Sequence, residues 1–338
     1  MSVATVGLDI AKQFFQVHGV DANGRVVLRK KLRRSQVAAF FANLPVCTVG
    51  LEACCGSHYW VRVLSRCGHD VRLIAPQFVK PYIKSNKNDA NDAEAICEAV
   101  SRPLMRFVPG KSVEQQDIQS LHRVRSRLVS SRTGLANQIR GLLAEYGIVL
   151  PQHVSQLRRG LPLILEDATN ELTSFSRRLF AHLYDELLSL EEKIGALDEQ
   201  IESVFQASEP CQRVGAVEGI GPLTATALVA AMSDGKAFKN GRQFAAWLGL
   251  VPRQHSSGGK ARLLGISKRG DTYLRTLLIH GARSVVSRAS RKTDRRSVWI
   301  TDKQRRLGTS KACVAVANKN ARIVWSLIAR EEVYRRAA

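Results

Sequence analysis

Four acidic residues in the first hundred positions have the types and spacing that metal-assisted chemistry requires. Asp9 and Glu52 each end an apolar run that is expected to form a buried strand, where a charge needs a compensating partner. Asp89 and Asp92 lie three residues apart, so they share one face of a helix. Four such carboxylates can hold one or two divalent ions, which neutralise a phosphate, activate a nucleophile and stabilise a leaving oxygen. The set therefore predicts a Mg²⁺ (or Mn²⁺) site.

Taken singly, none of these acids is unusual. Asp89 is of a type that often caps a helix, and Glu94 and Glu98 nearby are expected to be solvated. The metal prediction depends on the combination, because two of the acids end strands that should be buried.

A serine-glycine segment in the last third of the chain carries a second set of candidate groups. Ser257 stands before two glycines, which let the backbone approach a phosphate closely, so it is a candidate nucleophile or phosphate contact. The flanking cations Arg253, Lys260 and Arg262 are placed to stabilise charge on phosphate oxygens. The same pattern is common in flexible loops. His255 is as consistent with a bystander as with a proton carrier.

A basic loop that leads into a helix follows at residues 265–278, with Asp271 expected at the helix start. Three of its cations are predicted to contact phosphate: Lys268, Arg269 and Arg275. Cationic positions continue through residues 291–306, where Trp299 is a candidate platform for a stacked base. A place in the core is the commoner fate of such a tryptophan.

Two glycines, Gly219 and Gly221, form a Gly-Ile-Gly-Pro turn ahead of a helix rich in small residues. This pattern resembles a helix-hairpin-helix, in which backbone N–H groups at a helix start meet a DNA phosphate. A tight turn between packed helices explains the glycines equally well, so both interpretations stay open.

The charge of the chain indicates a polyanionic partner. It carries 51 Lys and Arg against 29 Asp and Glu, a net charge of +22. The excess is concentrated from residue 253 onward, where 21 Lys and Arg face 5 Asp and Glu. A surface that tracks phosphates explains that asymmetry. A ribosome-associated basic surface is the plainer alternative.

Residues 1–108 are predicted to form an α/β domain. Its elements are strands at 3–9, 14–20 and 25–31, a helix at 35–43 capped by Ser35, a strand at 46–52, a helix at 57–67 and a strand at 70–74. This order is that of the ribonuclease-H-like fold. Because the first and fourth strands pair at the centre of that sheet, the order brings Asp9 beside Glu52.

The rest of the chain is predicted to be helical. Within residues 109–210, apolar residues of the stretch 172–204 repeat at alternating steps of three and four, which is typical of a coiled coil. The earlier stretch 121–142 has a similar stripe, and Pro151 and Pro162 fall between the two. Two long helices are therefore expected to turn back on each other as a spacer or dimerisation arm. Residues 211–338 are expected to form a mainly helical basic domain.

Cysteine usage and hydropathy bear on the cellular compartment. The seven cysteines include no C-x-x-C pair, which favours reduced thiols over zinc or disulfides. We find no signal peptide and no apolar run of membrane-spanning length. The expectation is a cytoplasmic protein, associated with the bacterial nucleoid and without a membrane partner.

At these residues the sequence resembles the DEDD insertion-sequence transposases, the bridge-RNA-guided recombinases of the insertion sequence 110 family, in its 1111 branch. That family's four acids match Asp9 in Gly-Leu-Asp-Ile-Ala-Lys, Glu52, and Asp89 and Asp92 in Asn-Asp-Ala-Asn-Asp-Ala. The blocks at 249–260, 266–275 and 317–323 are similar to its transposase domain. The resemblance covers nearly the whole chain.

The resemblance implies a combined mechanism. A RuvC-like domain would hold the metal on its four acids, and Ser257 would attack a DNA phosphate to give a covalent phosphoserine intermediate. Ser256 beside it leaves the register open by one residue. The composite site would join two subunits of a homo-oligomer, a dimer or a tetramer in the synaptic complex. A structured noncoding guide RNA would select the double-stranded donor and target DNA.

Two rival functions remain at the level of sequence. In a metal-dependent structure-specific nuclease, such as a junction resolvase, water would attack and Ser257 would only contact phosphate. In a non-catalytic nucleic-acid-binding or architectural protein, neither the acids nor magnesium would matter.

Overall fold

The computed structural model describes residues 2–84 and 88–335, and it divides into two compact units. One unit comprises Met1–Gln116 with Met232–Ala237, and the other comprises Asp117–Ala231 with Phe238–Ala338. The protein is a mixed α/β chain with a central sheet and many helices, as the sequence predicts.

A six-stranded sheet forms the centre of the first unit, with the strand order β3-β2-β1-β4-β5-β6. Its strands are β1 (Thr5–Ile10), β2 (Phe14–Val20), β3 (Val26–Arg33), β4 (Thr48–Glu52), β5 (Asp70–Ile74) and β6 (Phe107–Val108). The first three strands form an antiparallel meander, and β1 pairs in parallel with β4, with Leu8 opposite Leu51. The predicted pairing of the first and fourth strands is confirmed.

Helices cover both faces of this sheet. They are α1 (Val37–Ala42), α2 (Ser57–Arg66), α3 (Pro76–Val79) and α4 (Asp89–Val100). One apolar cluster joins β1 and β4 to α1 and α2 through Leu8, Leu51 and Leu64. A second cluster includes Ile96 and Val100 of α4. The sheet is therefore buried on both sides, which explains why its central strands are continuous apolar runs.

The predicted helix cap at Ser35 is wrong. Residues Arg34–Gln36 form a 3₁₀ turn, and α1 begins only after it, at Val37. The side chain of Gln36 accepts a hydrogen bond from the backbone N–H of Arg33, at 2.9 Å. A glutamine therefore fixes the entry into this helix, and the serine lies inside the turn.

The remaining elements are mostly helical. They are α5 (Val113–Ala144), α6 (Val154–Glu166), α7 (Ser174–Ala207), α8 (Glu209–Gly215), α9 (Pro222–Met232), α10 (Gly241–Trp247), β7 (Pro252–Gln254), β8 (Leu263–Ile266), α11 (Thr272–Ala289), α12 (Arg295–Leu307) and α13 (Thr309–Ala329). Pro162 lies inside α6, a helix that the sequence did not predict, and so it does not mark a break between two helices. Among the described residues, no helix is long and apolar enough to cross a bilayer.

The helix α7 carries a regular buried seam. Its residues Phe180, Leu187, Ile194 and Ile201 are buried and recur every seven positions. Phe180 and Leu187, in the N-terminal half of this seam, share an apolar cluster with residues of α5 and α6. An ion pair between Arg125 and Asp198 also joins α5 to α7. The heptad spacing suits a coiled-coil contact, although a supercoiled pair remains a prediction.

Candidate functional site

Two of the four acids meet at one edge of the sheet. Asp9 and Glu52 directly follow the paired residues Leu8 and Leu51 at the carboxyl ends of the parallel strands β1 and β4. Side chains on a strand alternate between faces, so Asp9 shares a face with Gly7 of its own strand. Glu52 likewise shares that face with its own strand's glycine, two residues earlier. This is the face on which α4 packs.

The other two acids lie in the first turn of α4. The helix is capped by Asn88, whose side-chain oxygen accepts a hydrogen bond from the Asn91 backbone N–H at 2.8 Å. The capping role that was open for Asp89 therefore belongs to its neighbour. Asp89 and Asp92 are stabilised at this end of the helix by the positive end of the helix dipole.

The four carboxylates share one electrostatic environment. Burial, followed by repulsion from Asp92, Asp89 and Glu52 in that order, raises the pKa of Asp9 to about 6. The same field reaches a thiol: burial raises the pKa of Cys54, and Glu52 and Asp9 add to the effect. The charges of the other three predicted acids thus reach Asp9, and their joint role as a metal site stays a prediction.

Whether these acids form a metal site depends on how their oxygen atoms are arranged. Within residues 2–84 and 88–335, no three His, Cys, Asp or Glu side chains stand in ion-holding geometry. Among these described residues the acids therefore do not form a preassembled ligand cage. Their chemistry nevertheless suits Mg²⁺, which takes oxygen ligands. A bound cation would also offset the repulsion that raises the pKa of Asp9.

Ser257 lies at the tip of a β-hairpin in the second unit. Strands β7 and β8 pair antiparallel, and Ser257 bridges Lys260 across the tip, where the Lys260 N–H donates to the Ser257 carbonyl at 3.0 Å. Gly258 and Gly259 between them have φ of 55° and 75°. Positive φ at both central residues is typical of a tight hairpin turn and explains why both are glycine.

The two serines of the hairpin, Ser256 and Ser257, differ in their side-chain hydrogen bonds. The Ser256 Oγ accepts hydrogen bonds from the Gln254 side-chain amide at 2.9 Å and from the Arg262 backbone N–H at 3.2 Å. In the part of the chain that the structure describes, the exposed Ser257 Oγ makes no hydrogen bond. The Ser256 hydroxyl thus stabilises the hairpin, and the Ser257 hydroxyl is accessible to a substrate.

Most of the predicted phosphate contacts are exposed. Arg253, Lys260 and Arg262 flank the hairpin tip, and Lys268 and Arg269 lie on the next loop. That loop is held by close backbone packing. A Cβ at position 249 would stand 2.2 Å from the Arg269 carbonyl oxygen, so only glycine fits there.

Arg275 differs from the other predicted contacts. Its side chain is buried, and its guanidinium donates to the Leu248 carbonyl at 3.1 Å and to the Thr272 hydroxyl at 3.1 Å. It therefore ties the start of α11 to the end of α10. Because this buried side chain donates to two groups inside the protein, Arg275 does not belong with the exposed phosphate contacts. Asp271 caps α11 as predicted, since its side chain accepts from the Leu274 N–H at 3.0 Å.

The Gly-Ile-Gly-Pro turn is packed against α11. Gly219 has a φ of 86°, and a Cβ there would lie 2.8 Å from the Gly281 carbonyl oxygen. The preceding Glu218 is held by Asn320, which donates to its carbonyl at 3.0 Å. Gly219 thus has a packing role. Gly221 is exposed and has open space around its Cα, so a phosphate contact there remains a prediction.

Trp299 is half-buried, and the Lys319 ammonium lies 4.4 Å from the centre of its ring.

Part of the adjacent basic run is internal. Arg296 is buried and donates to the Asn320 side chain at 2.6 Å, so it does not belong to the surface that the sequence suggested. Three positioning residues were also missed: Gly7, Gly50 and Asn88.

Comparison with known proteins bears on both units. A family model for IS110-type DEDD transposases matches residues 6–148, a span that holds all four acids. A second model, described as "Transposase IS116/IS110/IS902 family", matches residues 211–297, which include Ser257. The chain is 54% identical over 336 residues to a probable family 20 transposase of Pseudomonas aeruginosa, covering 99% of both chains. It belongs to the IS110 family of DEDD transposases.

Other members of the family are also similar along nearly their whole length. The transposase for insertion sequence element IS1111A of Coxiella burnetii is 49% identical, with 98% of this chain and 92% of that protein covered. The transposase for IS1328 of Yersinia enterocolitica is 40% identical, over 98% of this chain and 99% of that one. The protein is a DNA transposase of an insertion sequence.

Proposed function

We propose that this transposase cuts and rejoins DNA through a phosphodiester bond to Ser257. The observation that supports this most is the contrast at the hairpin tip. The Ser257 hydroxyl is exposed and without a hydrogen bond among the described residues, whereas Ser256 is engaged within the hairpin. Cations at 253, 260 and 262 surround it, as charge building on a phosphate requires.

In this proposal the Ser257 oxygen attacks the DNA phosphorus and loses its proton. The phosphorus–oxygen bond to the leaving strand breaks, and the leaving sugar oxygen takes a proton. The resulting phosphoserine ester preserves the bond energy, so a second sugar hydroxyl can displace the serine and rejoin the DNA. The exposed Arg253, Lys260 and Arg262 stabilise the negative charge on the phosphate oxygens in both steps.

The four acids are proposed as the metal-holding half of the same site. A divalent ion bound by Asp9, Glu52, Asp89 and Asp92 would supply charge neutralisation at the phosphate. Their shared electrostatic field supports this assignment. The acids belong to one compact unit and Ser257 to the other. We propose that the working site combines the acids of one subunit with the serine of another in a homo-oligomer, with α5 and α7 as the contact arm.

We also propose that a structured noncoding RNA directs the enzyme to its donor and target DNA. The exposed cations of the hairpin and the following loop support a polyanionic partner, as does the net charge of +22. Sequencing the RNA that copurifies with the protein tests this. A single discrete species is expected, and a sample without one would contradict guided targeting.

The covalent step is tested with a nicked DNA substrate, from which the leaving strand dissociates so that the enzyme stays attached. We expect an SDS-resistant protein–DNA adduct from the wild type and from Ser256→Ala. Ser257→Ala should give none. Asp9→Asn and metal chelation should each lower the yield at least tenfold.

The main alternative is a metal-dependent endonuclease in which water attacks the phosphate. In this candidate the acids act without Ser257, which belongs to the other compact unit. It requires that Ser257→Ala produces free DNA ends at the wild-type rate, with no adduct from any variant.

A further inference from the structure

A groove in the first unit has features that the acids and the serine do not explain. It has a volume of about 800 Å³ and lies where the β1–β2 connection meets the start of α2. Its main walls are three cations and three aromatic rings: Lys12, Arg33, Arg34, Phe14, Tyr59 and Trp60. No sequence motif identified these residues, because they are spread over fifty positions and meet only in the folded sheet.

The charge of the groove is uncompensated. No carboxylate is among its lining residues, and within the described ranges none lies within 4 Å of the charged groups of Lys12, Arg33 or Arg34. Lys31 adds a further cation over the ring of Phe14, at 4.7 Å from its centre. Cations that converge without acidic partners repel one another, and a phosphate backbone relieves that repulsion.

Two of the three aromatic rings of the groove are partly exposed. Tyr59 is 49% exposed and Phe14 is 40% exposed, so part of each ring faces solvent. Trp60 behind them is buried, with the Arg34 guanidinium 5.4 Å from its ring centre. In the described part of the chain its indole N–H has no acceptor. Exposed rings beside cations are the two elements of a surface for unpaired nucleic acid.

The groove opens at the same edge of the sheet as the acids. Lys12 follows Asp9 by three residues, just past the carboxyl end of β1. Tyr59 lies in the first turn of α2, seven residues after Glu52 at the end of β4. The groove and the carboxylates therefore belong to the same end of the sheet.

We infer that this groove binds an unpaired stretch of the DNA strand next to the phosphate presented to the acids, with a base stacked on Tyr59. The inference rests on the proposed function, because it takes the acids to act on DNA. It goes beyond that function by assigning a separate strand-binding surface and a requirement for local unpairing. The duplex would have to open beside the cleavage point for a base to reach the ring.

The test uses the full chain with metal chelated, so that binding is measured without cleavage. The probe is duplex DNA with a four-nucleotide unpaired stretch that carries 2-aminopurine, whose fluorescence is quenched when the base stacks. We expect quenching with the wild type and with Tyr59→Phe, and a loss of at least half of it with Tyr59→Ala. A fully paired probe should show little change with any of the three proteins.

The phosphate contacts are tested by the salt dependence of binding. Neutralising two contacts on a single strand lowers the slope of log affinity against log salt by about 1.4. We expect this change for the double variant Lys12→Gln/Arg33→Gln. Arg25→Gln, an exposed cation at the opposite turn of the meander, is the matched control and should leave the slope unchanged.

Several outcomes would overturn the inference. Equal quenching by Tyr59→Ala, or an unchanged salt slope in the double variant, would show that the groove does not hold the strand. Dependence on Tyr59 for an RNA probe but not for the DNA probe would assign the groove to RNA instead. Failure of the serine mechanism would leave these binding results intact, because they need no covalent step. Thermal unfolding of each variant checks that the first unit is folded.

Discussion

Gly7 of β1 lies directly beneath Ala93 of α4, so closely that a Cβ on Gly7 would stand 2.1 Å from the Ala93 carbonyl oxygen. Gly50, its partner across the parallel strands, meets the helix in the same way, with a Cβ position 2.8 Å from the Cβ of Val100. Glycine at these two paired positions thus lets α4 pack directly against the backbone of the sheet. The first turn of that helix carries Asp89 and Asp92.

Gly7→Ala should be strongly destabilising. The added methyl group meets the backbone of α4, which cannot move as a flexible side chain can, so we expect a loss of about 3 kcal/mol or more in the free energy of unfolding. Urea denaturation measures this. Gly134→Ala, in α5 with open space around it, is the control and should be neutral or stabilising by up to about 1 kcal/mol. Equal effects of both substitutions would contradict the close contact.

Asp9→Asn should stabilise the fold above pH 6. The pKa of Asp9 is raised from 3.8 to about 6, so the folded state holds a proton that the unfolded chain releases. The stability that this proton provides is present below about pH 4 and is lost as the pH rises through 6. Because Asp9 is partly solvent-screened, we expect a gain for the variant of about 1 to 2 kcal/mol at pH 7.5 and little difference at pH 4.

The same variant tests the metal. Mg²⁺ should raise the melting temperature of the wild type at pH 7.5 and should have little effect at pH 5, because the protonated carboxyl is a poor ligand. In Asp9→Asn this pH-dependent shift should shrink to near zero. A Mg²⁺ response that is identical in the two proteins would place the ion elsewhere.

His122 should give the opposite pH dependence. Burial, followed by the nearby Arg125, lowers the pKa of His122 to about 4. Thr226 donates its hydroxyl to the Pro222 carbonyl, so His122 Nε2 must donate to Thr226 and Nδ1 must accept from Tyr273. This neutral form stabilises the fold above pH 6.5, and its contribution falls as the pH drops towards 4.

The expected loss for the wild type between pH 7.5 and 4.5 is about 2 to 3 kcal/mol from this group. His122→Phe should be less stable at pH 7.5, because the Thr226 and Tyr273 hydroxyls lose a partner, but it should lack that loss in acid. Urea titrations at the two pH values measure the difference. A variant as acid-sensitive as the wild type would contradict a neutral buried histidine.

Substitution of Arg275 should change the stability of the fold, whereas substitution of Lys260 should change DNA binding. Arg275→Met removes the donors to the Leu248 carbonyl and should cost about 1 to 3 kcal/mol in unfolding free energy. Lys260→Gln lies on the exposed hairpin tip and should change stability by less than about 0.5 kcal/mol. It should instead lower the salt slope of duplex binding by about 0.9. The reverse pattern would return Arg275 to the DNA surface.

The strands, and the placement of Asp9 and Glu52 at their ends, were predictable because their signals are local. Alternating and continuous apolar runs mark the strands, and the acids interrupt them at the ends, as at Asp9 and Glu52. The cap of α1 was not predictable in this way. Ser35 is the commoner cap type, but a glutamine one position later forms the hydrogen bond that decides the turn.

The sequence could not predict which cations are buried or which distant residues meet in the folded protein. Arg275 has the same local pattern as Lys268 and Arg269, and only the packing of α10 against α11 removes it from the surface. The groove lined by Lys12 and Tyr59 depends on residues from a hairpin, a 3₁₀ turn and a helix. No spacing rule connects Lys12 with Tyr59, since the sheet alone brings them to one edge.

The hairpin tip at Ser257 has a consequence for enzyme redesign. Its glycines have no atom within 4 Å of a would-be side chain, and its surrounding residues are exposed. The fold is therefore indifferent to which atom occupies the serine oxygen's place. A thiol or a selenol can be installed there, as in Ser257→Cys, with the scaffold left unaltered. The proposed nucleophile thus occupies a position whose side chain can be exchanged without repacking its surroundings.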